Sequence, residues 1–228
     1  MSLILNIETS TKNCSVAIGQ EGVLCGLKGI KSDKYVHGEK LHLIIKEIIE
    51  ENNIQLNDLS AIAVASGPGS FTGLRIGVAA AKGLAFSLNI PLISVRTTEL
   101  MINSYKLKTR DSNTIIFPMI DARRDEVYTA GYDIKKKLIS PIGAHIIDEK
   151  FLEKLNPYKN IYFTGDGAKK FNSKFNRDGL IIDDCELNCA SGMIELSHNK
   201  FIQEKNENLA YFNPFYLKDF MPNKKNNS

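Results

Sequence analysis

Three stretches of the chain gather residue types that could do chemistry. The first is the Gly-rich run 67–77, GPGSFTGLRIG, which follows an apolar segment, AIAVA at 61–65, and opens a helix that reads through about Leu88. A strand, a Gly-rich turn and a helix start make a backbone that another group can approach closely. A nucleotide phosphate loop needs GxxxxGK[ST], and here no lysine follows the glycines; Arg75 is the nearby cation. The second stretch is the polar turn Glu8-Thr9-Ser10-Thr11 after an apolar strand at 3–7. Ligands of open α/β sheets sit at the carboxyl ends of strands, so Glu8, Thr9 and Ser10 could hold a metal–phosphate unit; the same residues also make an ordinary hydroxyl-bonded turn. The third is MIDARRDEVY at 119–128, with Asp121, Arg123, Arg124, Asp125 and Glu126 side by side. Such a tip is a solvated face, or its arginines pair with a partner's carboxylates or with a phosphate.

A dedicated metal site is not expected. His37 and His42 are five residues apart, so on a helix they point about 140° away from each other, whereas one ion wants the i, i+4 pair. His145 and His198 are isolated, and Cys14, Cys25, Cys185 and Cys189 contain no CxxC pair. No GxSxG nucleophile motif occurs.

The elements that must position these residues follow from periodicity. Leu41, Ile44, Ile45, Ile48 and Ile49 fall at helical spacing. Apolar runs at 15–18 and 23–27 around Gly19-Gln20-Glu21-Gly22 read as a hairpin that could bring Cys14 and Cys25 face to face. A strand at 92–95 leads to a helix capped by Thr97 or Thr98. The polar stretch 106–113 looks like a lobe boundary, after which strands at 114–120, 126–132 and 142–147, a short helix at 151–155, a strand at 161–163, a helix from Gly165-Asp166-Gly167 to about Phe175 and another at 193–202 follow. Both halves start with a strand, a polar turn and a hairpin, which fits an α/β fold of two related lobes. The expected division is 1–106, 107–218 with its end packing back on the first lobe, and a flexible tail at 219–228.

The helix at 72–88 is unusual. Gly73, Gly77, Ala81 and Ala85 recur every four residues as a small-residue ridge, and most other positions are apolar. A helix apolar nearly all round is buried nearly all round. Either its own core covers both sides, or the ridge meets a second protein. Arg75 and Lys82 share one face and are candidates for the rim of such an interface.

Composition is that of an ordinary globular chain: 228 residues, 43% hydrophobic, 24% charged, net charge +3. That charge is too small to argue nucleic-acid binding from the bulk. Residues 1–105 balance 9 Lys+Arg against 9 Asp+Glu, leaving 20 against 17 in the second half. No run reads as a transmembrane span, and Glu8 interrupts the short apolar start, so the expectation is a reduced, cytoplasmic protein with no membrane partner.

Six segments in order, 4–18, 37–41, 66–85, 118–128, 163–168 and 213–218, resemble the bacterial TsaB-type family, accessory subunits of the tRNA threonylcarbamoyladenosine-modification machinery. The resemblance implies a two-lobed actin-like, sugar-kinase-like ATPase fold in pared-down form. It implies a non-catalytic partner in threonylcarbamoyl transfer to the adenosine beside the anticodon. The implied partners are a TsaD-type catalytic subunit and a TsaE-type ATPase, tRNA through the complex, and a second copy in a homodimer when alone. TsaD-type relatives carry an HxxxH metal pair on the helix matching 37–49; this chain has Leu41 there. No tightly bound cofactor is implied, with ATP or ADP held in the assembled complex and Glu8, Thr9 and Ser10 as a vestigial nucleotide site. Glu8 stands where the family usually has Asp, and Lys218 where it usually has Arg. The partner surface is expected on two helices, through His37, Glu39, Leu41, Ile45, Gly73, Arg75, Gly77, Ala81 and Lys82. The competing reading is a stand-alone ATP-dependent phosphotransferase or ATPase of the same fold.

Overall fold

The structure, a computed structural model, describes residues 1–32 and 36–218. The expected tail at 219–228 lies outside the described residues, as does most of the loop before α1. The first half forms a sheet from β1 (Leu3–Glu8), β2 (Asn13–Gln20), β3 (Val23–Lys31), β4 (Ala61–Gly67) and β5 (Leu92–Arg96). Their spatial order is β3-β2-β1-β4-β5. β1, β4 and β5 run parallel, and β2 is antiparallel to both neighbours. The second half repeats this plan with β6 (Thr114–Asp121), β7 (Glu126–Tyr132), β8 (Leu138–Ile146), β9 (Asn160–Thr164) and β10 (Leu180–Asp183) in the order β10-β9-β6-β7-β8. Each strand of one sheet has its counterpart in the other, directions included.

Helices fill the layers. α1 (His37–Glu51) and α2 (Phe71–Leu88) cover the outer face of the first sheet, in one apolar cluster with Leu5, Ile7, Val16, Ile18, Ile62 and Val64. The inner face, carrying Ile4, Ala61, Ala63, Ala65, Ile93 and Val95, meets Ile116, Ile120, Tyr132 and Tyr162 of the second sheet around α3 (Thr97–Ser104) in a single cluster. Tyr132 Oη donates to Thr98 Oγ1 at 2.9 Å across that seam. The far face of the second sheet carries Phe117 and Phe163, which cluster with Phe171 and with α4 (Glu149–Glu153). After β10 the chain returns to the first sheet: α5 (Ile194–Ile202) packs against β1, β2 and β5.

Several expectations need correction. The hairpin turn is only Glu21-Gly22, both with left-handed φ. Cys25 is the extra residue of a bulge in β3 and is exposed, while Cys14 is buried opposite Ile30, so the two do not face each other. Thr97 and Thr98 do not cap α3; Arg96 stands at the cap, with its N–H donating to Glu99. The helix expected to reach Phe175 is a 3-10 helix at Asp166–Phe171, followed by the unanticipated strand β10. α2 has 18 residues and a mean hydropathy of 1.2, which is long and apolar enough to cross a bilayer by length and composition. One side of it packs on β4 and the other side is exposed, so it is a covering helix of the first sheet instead.

Candidate functional site

The carboxyl ends of β1, β4, β6 and β9 converge where the two sheets meet. Glu8 ends β1 and Asp121 ends β6, at equivalent places in the two sheets. Asp166 opens the 3-10 helix after β9 and is close enough in charge to raise Glu8, as Asp121 in turn raises Asp166. Glu8 is fully buried, and burial pushes its carboxyl up to about 7, against the lowering effect of Ser10, whose backbone N–H donates to it. Burial is also the leading reason that Asp166 is raised.

The turn after Glu8 is closed off by the chain itself. Thr9 and Ser10 have no exposed surface. A Cβ at Gly73 would overlap the Thr9 carbonyl, and one at Gly77 would overlap Thr9 Oγ1. Gly69 lies against Ser10 in the same way, and Ser70 N donates to the Ser10 carbonyl at 2.6 Å. The Gly-rich run thus brings α2 against the β1–β2 turn. Ser70 caps α2 by accepting from Gly73 N at 3.2 Å, and left-handed Asn89 ends it. The oxygens Glu8 Oε2 and Thr9 Oγ1 are enclosed with no hydrogen-bond partner among the described residues. The residues do not fit a bound nucleotide as arranged, because the Thr9 and Ser10 hydroxyls are sealed behind α2.

A metal fits no better. His37 is buried over the β1–β2 turn, where burial lowers it and the backbone of Thr11, Asn13 and Thr9 favours its charged form. Leu41, one helical turn on, belongs to the apolar cluster, and His42 is exposed on another face. Among the described residues no group of three or more His, Cys, Asp or Glu side chains could hold an ion.

The expected partner residues separate into two sets. His37, Leu41, Ile45, Gly73, Gly77 and Ala81 are buried within this chain, so they cannot be surface contacts. The ridge does permit close approach, but to Thr9 of its own sheet. Lys82 is engaged internally: its Nζ donates to the carbonyls of Ala210 and Phe212 at 3.2 and 3.1 Å. Glu39 and Arg75 remain exposed, Arg75 lying over the Phe71 ring at 4.6 Å.

Sequence reasoning missed the opposite ridge. Thr72, Arg75, Ala79, Gly83 and Phe86 are exposed on one side of α2, and Phe86 keeps 77% of its surface. A Cβ at Gly83 would meet nothing within 4 Å. The signal was available, since Arg75, Ala79 and Gly83 repeat every four residues just as the buried ridge does. For the segment after α5, sequence reasoning has the end of the second half packing back on the first lobe but names none of the contacts that hold it there. Glu207 N donates to the Leu92 carbonyl at 2.8 Å, Leu209 and Phe212 pack on the outer cluster, and Phe215 N donates to the Ser66 carbonyl at 2.7 Å. Arg96 lies over the Phe215 ring at 3.9 Å, the Tyr216 ring packs tilted against Phe71 with centroids 4.8 Å apart, and Lys218 pairs with Glu126 in the second sheet.

Residues 34–220 match the family model described as TsaD, tRNA N6-adenosine threonylcarbamoyltransferase. Relatives named tRNA threonylcarbamoyladenosine biosynthesis protein TsaB occur in Buchnera aphidicola of Schizaphis graminum, 31% identical over 74% of this chain and 80% of the relative. Another is that of Escherichia coli K12, 28% identical over 95% of this chain and 94% of the relative. The chain belongs to the TsaB family, within the wider TsaD group. In fold it superposes on YeaZ from Pseudomonas aeruginosa with a TM-score of 0.77, covering 95% of this chain and all of the other at 24% identity. A polyphosphate/ATP-glucomannokinase from Arthrobacter sp. strain KM matches with a TM-score of 0.50 at 12% identity, over 89% of this chain and all of the other. The architecture is therefore the two-lobed actin-like, sugar-kinase-like ATPase fold.

Proposed function

We propose that this chain is a non-catalytic partner subunit in the transfer of a threonylcarbamoyl group to the adenosine beside the anticodon of tRNA. It docks a TsaD-type catalytic subunit through the outer side of α2, and a TsaE-type ATPase joins the pair. The observation that carries this reading is the inversion of the expected surfaces. The residues of the expected nucleotide site, Glu8, Thr9 and Ser10, and the expected partner residue His37 are sealed inside, whereas a helix face of Thr72, Arg75, Ala79, Gly83 and Phe86 is open. Exposed apolar side chains rimmed by polar ones mark interaction sites. In the centre of that face Ala79 and Gly83 leave room for another helix to come close.

On this reading the chain works in the cytoplasm and holds no nucleotide tightly of its own; ATP or ADP enters with the assembled complex. A second copy covers the same helix face when the catalytic subunit is absent, so the homodimer and the complex compete. Reconstitution from purified components tests the proposal. With the threonylcarbamoyl-adenylate synthase, the TsaD-type subunit, the TsaE-type ATPase and tRNA present, modification is expected only when this chain is added. Modified adenosine formed by this chain with the synthase alone would overturn it.

A further inference from the structure

The hairpin tip between β6 and β7 carries two arginines that neither its backbone nor its neighbours explain. Arg123 has φ +69° and Arg124 φ +49°, and Glu126 N donates to the Arg123 carbonyl at 3.2 Å to close the turn. Glycine and asparagine adopt that left-handed backbone readily, and arginine does not. The carboxylates flanking the tip are already taken by lysines. Asp121 pairs with Lys170 at 2.6 Å, and its Oδ1 also accepts from Arg123 N at 2.6 Å. Glu126 pairs with Lys218, and its carbonyl accepts from Lys170 Nζ at 2.8 Å. Both guanidiniums are exposed, and neither has an ion pair among the described residues. Lys169, also exposed, stands on the adjacent 3-10 helix; Asp125 is the one remaining exposed carboxylate of the tip. Lys170 and Lys218 therefore neutralise Asp121 and Glu126, and with Asp125 as the one carboxylate left they leave the tip two adjacent guanidinium forks facing solvent.

We infer that Arg123 and Arg124 form a contact for the phosphodiester backbone of RNA. Planar guanidinium forks match phosphate oxygens, and contacts of this kind position a nucleic acid without reading its bases. The inference rests on the proposed role in tRNA modification, which supplies the anion, and on the geometry of the tip, which supplies the site.

The test uses the full chain assembled with its purified TsaD-type partner and an unmodified tRNA transcript, titrated across roughly 50 to 200 mM salt. The variants are Arg123→Gly with Arg124→Gly, and Arg123→Glu with Arg124→Glu. Losing two phosphate contacts should make the slope of log affinity against log salt shallower by about 1 to 2 and weaken binding roughly tenfold or more. The glycine variant carries its own check, because glycine suits the left-handed backbone: its thermal midpoint should not fall while its RNA affinity does. Unchanged affinity and slope in both variants would overturn the inference. So would a loss confined to binding of the catalytic subunit, which would make the occupant an acidic protein surface, or a loss confined to ATP binding. If the parent assembly modifies tRNA and the variants match it in RNA binding, only this inference fails; if the parent assembly neither modifies nor binds tRNA, the proposed function fails with it.

Discussion

Gly77 and Gly83 lie on opposite sides of one helix and should answer the same substitution with opposite signs. Gly77→Ala drives a methyl into Thr9 Oγ1 and should destabilise the fold by about 1–3 kcal/mol, the usual cost of overpacking. Gly83→Ala adds a methyl in open space within a helix and should stabilise by about 0.5–1 kcal/mol. Paired denaturant titrations read both. Glu8 gives a second expectation. Its folded pKa of about 7 lies above the ordinary 4.5, so the unfolded chain releases that proton first as pH rises. Stability is therefore lost progressively from about pH 4.5 to 7, by roughly 3 kcal/mol at about 1.4 kcal/mol per pH unit. His37 works in the opposite direction, since its lowered pKa removes stability as pH falls below 6.5. The measurement is thus the difference between Glu8→Gln and the parent: the variant should gain on the parent from pH 5 to 8, and parallel profiles would refute the buried-acid account.

At the scale of elements, α2 shows what a sequence can and cannot convey. Its existence, span and small-residue ridge were legible from a four-residue repeat. Which of two such ridges faces inward was not, because that depends on Thr9, a residue more than sixty positions earlier whose side chain fills the space above Gly77. Likewise the i, i+3, i+4 pattern of α1 located Leu41 and Ile45 correctly on one face, but that is the core face. The polar turn at Glu8 was legible as a strand end; its closure by the Gly-rich loop was not, since it arises from contacts between separate segments. The segment 207–218 lacks periodicity, being held by single carbonyls and ring contacts. For the helix surface the decisive substitution is Phe86→Asp. It should leave thermal stability within about 0.5 kcal/mol, as an exposed position does, while weakening both self-association and capture of the catalytic subunit by roughly tenfold or more. Sedimentation and titration calorimetry together separate this from misfolding. Lys82→Ala should speed exchange of the Glu207 and Phe215 amides, because the clasp on the 210 and 212 carbonyls is removed.

At the scale of the molecule, the repeated sheet plan and the shared inner cluster matter more than either lobe. The sheets meet through Ile4, Ile93, Val95, Ile116, Tyr132 and Tyr162 around α3, and the chain after β10 crosses back to seal α5 onto the first sheet. A fragment covering 1–106 would expose that inner face and lack α5, so it should not fold alone. The whole chain should unfold in one calorimetric transition, with the van't Hoff and measured enthalpies equal. Two separated transitions would show that the lobes are energetically independent.

The shared inner cluster has a geometric consequence. Enzymes of hinged two-lobe architecture pay for closure each time they bind. Here apolar packing fills the seam that would have to open, so the spacing between the outer side of α2 and the β6–β7 tip is fixed before anything arrives. The chain acts as a gauge of set length: whatever lies on the helix face is held at one offset and one angle from whatever touches Arg123 and Arg124. Preorganisation of that kind removes an ordering cost from assembly and makes the offset itself the information the subunit supplies.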